Sequence, residues 1–132
     1  MKNVLLMAVE MLKKRLGIEA IERVDLLKRY FKISSTLTIP DGCEKIGCFA
    51  FCNCEGLKKV SIPRGVVRIG INAFDGCKSL EKVRIPESVK EIGEQAFYNC
   101  EKLEKVEIPK NIVDIGVYAF SGCKYVEEKT RN

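Results

Sequence analysis

The chain has 132 residues, of which 46% are hydrophobic and 31% charged. That length and balance describe one soluble globular unit with room for a continuous core, and they exclude a disordered or membrane-embedded protein. The formal net charge of +5 is unevenly spread: residues 1–35 hold eight basic and four acidic side chains, a net +4, while the remainder is close to neutral.

The first 35 residues do not share the pattern that follows. The uninterrupted apolar run at 4–9 ends at Glu10, with Lys13, Lys14 and Arg15 close behind and no small-residue cleavage site. It is therefore read neither as a secretory leader nor as a membrane span. Val4, Ala8, Met11 and Leu16 recur at helical spacing, and Gly17 is a natural stop. Ile18, Ile21, Val24, Leu27 and Phe31 form a second such stripe. The pattern predicts two helices, roughly 3–16 and 18–32, packed as a hairpin cap over one end of the body. Glu19–Arg23 and Asp25–Arg29 are spaced for i,i+4 support of an exposed helix face.

From residue 36 onward the chain repeats every 23 residues. Ile39-Pro40, Ile62-Pro63, Ile85-Pro86 and Ile108-Pro109 open the units, and Ile46-Gly47, Ile69-Gly70, Ile92-Gly93 and Ile115-Gly116 follow. Ala50-Phe51, Ala73-Phe74, Ala96-Phe97 and Ala119-Phe120 come next, then Cys54, Cys77, Cys100 and Cys123. A fixed period in this range marks a solenoid, in which each repeat is one rung and covers the apolar edge of its neighbour. Val60 and Ile62 alternate with Lys59 and Ser61, the period of a strand, and the proline ends it. A second short apolar stretch, such as 66–69, leads to a glycine expected to permit a turn closed to side chains. The inward Ala and Phe are expected on a tight helical or 3₁₀ turn. Asn53, Gly76, Asn99 and Gly122 share one position, and these residue types predict a left-handed backbone there in every rung. Leu57, Leu80 and Leu103 return the chain to the next strand, with Val126 in that place at the start of a partial last rung.

These repeats resemble the BspA-like subclass of leucine-rich repeats, known also from treponemal surface proteins. The resemblance covers residues 37–126 and is carried by V-x-I-P, I-G, A-F, C and L at constant spacing. It implies a curved, right-handed stack with a parallel sheet on its concave face, used to recognise other proteins; members are commonly bacterial or protist surface proteins. The expected fold is thus an α/β solenoid. Residues 1–35 form a helical cap, and 36–132 form four repeats and a partial rung.

Seven cysteines without a leader point to free thiols in the cytoplasm. Sulfurs in one column, about 4.8 Å apart, form a line and not the tetrahedron that zinc requires. Cys43, Cys48 and Cys52 add to Cys54 in the first rung, but the chain has no histidine, and no metal or cofactor is expected. With no histidine base, phosphate loop or nucleophile motif, no catalytic residue is assigned and the protein is not expected to be an enzyme.

The outward strand positions vary, and variation there leaves room for recognition. Thr36, Lys59, Lys82, Lys105 and Glu128 form one column by the 23-residue offset; Thr38, Ser61, Arg84, Glu107 and Thr130 form the next. Ser35, Lys58, Glu81, Glu104 and Glu127 flank them. The candidate partner-binding face is therefore Lys59, Ser61, Lys82, Arg84, Lys105 and Glu107, a mixed-charge surface suited to another protein. The expected function is a small intracellular bacterial adaptor or inhibitor, monomeric or weakly dimeric and independent of membranes. The alternative is nucleic-acid binding through the basic helices, with Lys13, Lys14, Arg15, Lys28 and Arg29 as contacts.

Overall fold

A computed structural model describes residues 35–128, apart from Pro40, Lys105 and Tyr125; of residues 126–128 it describes the backbone. The helical hairpin expected over 1–35, and with it the helical part of the α/β class, lies outside the described residues. Among the described residues there is no helix. They form a parallel-strand β-solenoid.

Each 23-residue rung contributes two short strands. The first of each pair are β1 (Thr36–Thr38), β3 (Lys59–Ser61), β5 (Lys82–Arg84) and β7 (Val106–Ile108). The second are β2 (Lys45–Ile46), β4 (Arg68–Ile69), β6 (Glu91–Ile92) and β8 (Asp114–Ile115); β9 (Val126–Glu128) follows. The second apolar stretch is thus a strand in its own right, and β2-β4-β6-β8 make a continuous four-stranded parallel sheet. Registers are set by the repeat: Lys59 pairs with Thr36 and Lys82, and Ile69 with Ile46 and Ile92.

The alternation within strands puts one face of each in the core. Leu37, Val60, Val83 and Val106 form one buried column, and Ile46, Ile69 and Ile92 another. Phe51, Phe74, Phe97 and Phe120 stack along the coil with centroids 5.3, 5.2 and 5.3 Å apart. Phe74 and Phe97 are fully enclosed, and burying a side chain of that size is worth about 1.5–3 kcal/mol.

The segment carrying Ala and Phe is not helical, contrary to expectation. Its amides bond three residues back, as in Ala50 N to Gly47 O and Cys54 N to Phe51 O. Left-handed residues at the third turn position, Phe49 (φ 60°) and Asn53 (φ 58°), break any helix into successive turns. Between them, Phe49 N and Phe51 N reach across to Ile71 O and Ala73 O of the next rung. The left-handed position inferred for Asn53, Gly76, Asn99 and Gly122 is present in all four, with φ between 56° and 85°.

The glycine at 70, 93 and 116 has a different reason from the one expected. None of the three has a positive φ. A Cβ on Gly70 would lie 2.7 Å from Cys48 N, one on Gly93 2.6 Å from Ile71 N, and one on Gly116 against Glu94 N. The rungs touch backbone to backbone there, and only glycine fits.

Two expectations for the C-terminal end are corrected. Among the described residues the first sheet does not run unbroken: its strand order is β1-β3-β5, and β7 pairs with β9. In that last pairing Val126 is opposite Val106 and Glu128 opposite Ile108, an offset of 20 residues and not 23. Five positions separate Cys54 from β3 and Cys77 from β5, but three separate Cys123 from β9, so the chain enters the strand early. Val126 therefore does not take the place of Leu103, nor Glu128 that of Lys105.

Candidate functional site

The exposed face of the first sheet holds the residues singled out from the sequence. Lys59 and Ser61 flank buried Val60 on β3, and Lys82 and Arg84 flank buried Val83 on β5; all four are exposed. Parallel register sets Lys59 beside Lys82 and Ser61 beside Arg84. Glu107 is exposed on β7. Lys105 lies outside the described residues, as do Lys13, Lys14, Arg15, Lys28 and Arg29.

A concavity on this face lies where β5 and β7 meet. Glu104 N still bonds Glu81 O at 3.3 Å, so the rungs stay tied just ahead of the strands. Beyond that tie lies a cleft of about 560 Å³ bounded by Lys82, Arg84, Glu87, Glu104 and Glu107, with Pro86 and Pro109 among its walls. Glu104 is held by Lys124 at 3.3 Å. Cations on one rung and carboxylates on the next give the cleft both signs of charge, suited to a partner carrying both.

The sequence reading did not single out Glu87 and Glu104 as part of a site, because the cleft arises from rung displacement and not from residue type. It also passed over an apolar set. Phe49, Val67, Ile71, Val113, Val117 and Tyr118 are the exposed large hydrophobics among the described residues, and all flank the second sheet. A signal was available: Val67 and Val113 share a column with Glu44 and Lys90, so the outward position changes character from rung to rung.

The cysteine column is structural. Cys77 Sγ donates to Phe51 O at 3.1 Å, Cys100 Sγ to Phe74 O at 3.1 Å, and Cys123 Sγ to Phe97 O at 3.2 Å. Burial is the leading cause that raises the Cys77 thiol well above its ordinary value. For Cys100 the hydrogen bond with Cys77 comes first and burial second. Burial pushes the Cys123 thiol up to about 12. These groups stay protonated, which is what a donor needs and a nucleophile or metal ligand does not. Of the other cysteines, Cys48 is exposed, and Cys43 is half-buried against the core with its Sγ bonded to Lys45 O at 3.2 Å. Among the described residues no group of three or more Cys, Asp or Glu side chains is arranged to hold a metal. No helix there is long and apolar enough to cross a membrane.

A stacked Phe column, thiols bonded one rung back and a 23-residue step with two strands per rung accompany a direct family match. The model of the BspA type leucine rich repeat region, in six copies, matches residues 28–130. The chain belongs to this family. Leucine-rich repeat proteins are in general protein-interaction modules and in general not enzymes.

Solved leucine-rich repeat structures share the fold. A leucine-rich repeat protein from Bacteroides ovatus is 32% identical, with a TM-score of 0.66 over 71% of this chain and 30% of that one. A second, from Bacteroides capillosus, is 28% identical, with a TM-score of 0.65 over 74% of this chain and 78% of that one. The Treponema pallidum leucine rich repeat protein is 28% identical, with a TM-score of 0.54 over 66% of this chain and 54% of that one. This leucine-rich repeat chain thus corresponds to under a third of the B. ovatus protein and about half of the treponemal one. No curated protein matches it.

Proposed function

We propose that this leucine-rich repeat chain is a non-catalytic adaptor or inhibitor that binds another protein on the exposed face of its first sheet. The observation that carries the reading is the row Lys59–Lys82 and the adjacent pair Ser61–Arg84, held in register and leading into the mixed-charge cleft beside Glu104 and Glu107. Repeats hold such side chains on a rigid sheet, so little ordering is required on binding. Two lysines a rung apart repel by under about 1 kcal/mol in water, so the row is tolerated until a partner carboxylate meets it. A cytoplasmic location belongs to the same proposal, supported by column cysteines engaged as protonated donors.

The test is affinity capture from the source cell, comparing the natural chain with a Lys59→Glu, Lys82→Glu, Arg84→Glu variant and with a variant reversed at Lys13, Lys14, Arg15, Lys28 and Arg29. The proposal expects the first variant to lose a protein that the natural chain and the second variant retain. Equal capture by all three contradicts it. A salt-sensitive affinity for DNA that disappears in the second variant would instead support nucleic-acid binding.

A further inference from the structure

The outward column of the second sheet has a sign pattern that the first lacks. Lys45, Arg68, Glu91 and Asp114 stand one per rung on β2, β4, β6 and β8, each opposite the next in parallel register. The column reads two positive charges followed by two negative ones. Its middle pair is closed within the chain: Arg68 reaches Glu91 at 2.6 Å. Lys45 and Asp114, three rungs or about 14 Å apart, have no ion-pair partner among the described residues.

Turned end for end and laid on itself, such a strip sets every positive charge opposite a negative one. The parallel arrangement opposes like charges throughout. That property defines an isologous, two-fold contact, in which one surface is its own complement. Exposed apolar residues lie next to this column along the chain. Val67 and Val113 line one edge of the strip; Ile71 and Val117 line the other, with exposures of 43%, 75%, 43% and 62%. Exposed apolar side chains gathered on one side, beside charges, mark an interaction surface.

We infer that the second-sheet face is a homodimer interface, formed by two copies of this chain related by a two-fold axis lying between the second and third rungs. Lys45 of one copy faces Asp114 of the other, twice over, and the two Arg68–Glu91 pairs meet at the centre. The edges fit the same operation. The backbone bonds Val67 N to Glu44 O, Lys90 N to Val67 O and Val113 N to Lys90 O stack that edge in the order Glu44, Val67, Lys90, Val113. Reversal therefore lays each valine against the aliphatic stem of Lys90 or Glu44, whose charged ends still reach water. The face is four rungs tall, below the size of standard stable interfaces, so the dimer is of the weak, reversible class.

Sedimentation equilibrium of the full chain at several concentrations tests this, with the charge column edited. A monomer–dimer equilibrium is expected, weakened by added salt. Asp114→Lys and Lys45→Asp should each raise the dissociation constant by about tenfold or more, as for close charge pairs across interfaces. The double variant Lys45→Asp, Asp114→Lys should restore it, since the pattern remains opposite under the two-fold. Val117→Asp, at an exposed position, should weaken the dimer without touching the column. A monomer at every concentration overturns the inference. So do single reversals without effect, a double variant no tighter than the singles, or association that continues past the dimer.

Discussion

The Cys100 Sγ donates a hydrogen bond to the carbonyl oxygen of Phe74, 26 residues earlier, across 3.1 Å. The bond joins the thiol column to the turn that carries the Phe stack, and Cys77 and Cys123 repeat it with Phe51 and Phe97. The thiol fills a core position and gives the Phe74 carbonyl a second donor beside the Cys77 amide, at 3.3 Å, which no aliphatic side chain does. Cys100→Ala should therefore lose about 1–3 kcal/mol in urea unfolding, from the small cavity left by the sulfur together with the lost thiol bond. Cys100→Ser, which keeps a donor, should lose markedly less. Equal losses would mean that the thiol acts through volume alone.

Protonation gives a second prediction. Below the ordinary thiol value of about 9, folded and unfolded chains both hold their thiol protons and stability is complete. Above it the unfolded chain releases protons that Cys77, Cys100 and Cys123 retain, because their folded values are raised, Cys123 to about 12. Stability should fall with rising pH through that window, by up to about 1.4 kcal/mol per unit for each thiol. The urea midpoint at pH 10 should lie below that at pH 8; an unchanged midpoint would deny the raised values.

The same burial separates the cysteines by reactivity. Cys48 is exposed, whereas Cys54, Cys77 and Cys100 are enclosed. A brief pulse of alkylating reagent at neutral pH, read by peptide mass, should modify Cys48 and leave those three intact until denaturant is added. Modification of Cys77 in the native protein would contradict the packing described.

Glycine substitutions distinguish rung contact from turn geometry. Gly93→Ala places a methyl group 2.6 Å from Ile71 N and must push two rungs apart. At Gly47, in the same column, nothing among the described residues lies within 4 Å of the added carbon. Gly93→Ala is expected to cost several kcal/mol, in the range of a backbone clash, and Gly47→Ala less than about 1 kcal/mol. Thermal unfolding of the two variants checks the difference, and similar losses would return the column to a conformational role.

Phe97 sits between Phe74 and Phe120 with interplanar angles of 6° and 4°. Phe97→Ala removes a fully buried ring from the middle of that stack, and about 3–5 kcal/mol is expected to go with it. For a chain of this size that is a large part of total stability. Denaturant titration should show a sharply lowered midpoint, and a midpoint close to the natural chain's would place the ring outside the core.

What the sequence made legible is what repeats. Phe74 and Phe97, Cys77 and Cys100, and the left-handed column of Asn53, Gly76, Asn99 and Gly122 were all readable, because each position shows one residue type or one conformational habit. The companion left-handed column was not. Phe49, Asn72, Gln95 and Tyr118 have φ of 55° to 61°, but Phe and Tyr do not advertise that conformation. There the backbone is held by bonds across rungs, such as Phe49 N to Ile71 O, and tertiary contact overrides side-chain preference. The opening between β5 and β7 and the early start of β9 depend on how rungs shift against one another, and no single residue encodes that. For the candidate site, the register of Lys59 with Lys82 was legible from the offset, whereas the cleft beside Arg84 and Glu107 was not.

The claim beneath all of this is that residues one repeat apart are hydrogen-bonded neighbours. Scalar couplings measured through hydrogen bonds by nuclear magnetic resonance test it directly at Gly70, Gly93 and Gly116, whose amides bond Ile46 O, Ile69 O and Ile92 O at 2.8 Å. The account predicts a coupling from each glycine amide to that isoleucine carbonyl carbon. Couplings to carbonyls a few residues back in the chain, as in a helix or an isolated turn, would contradict it.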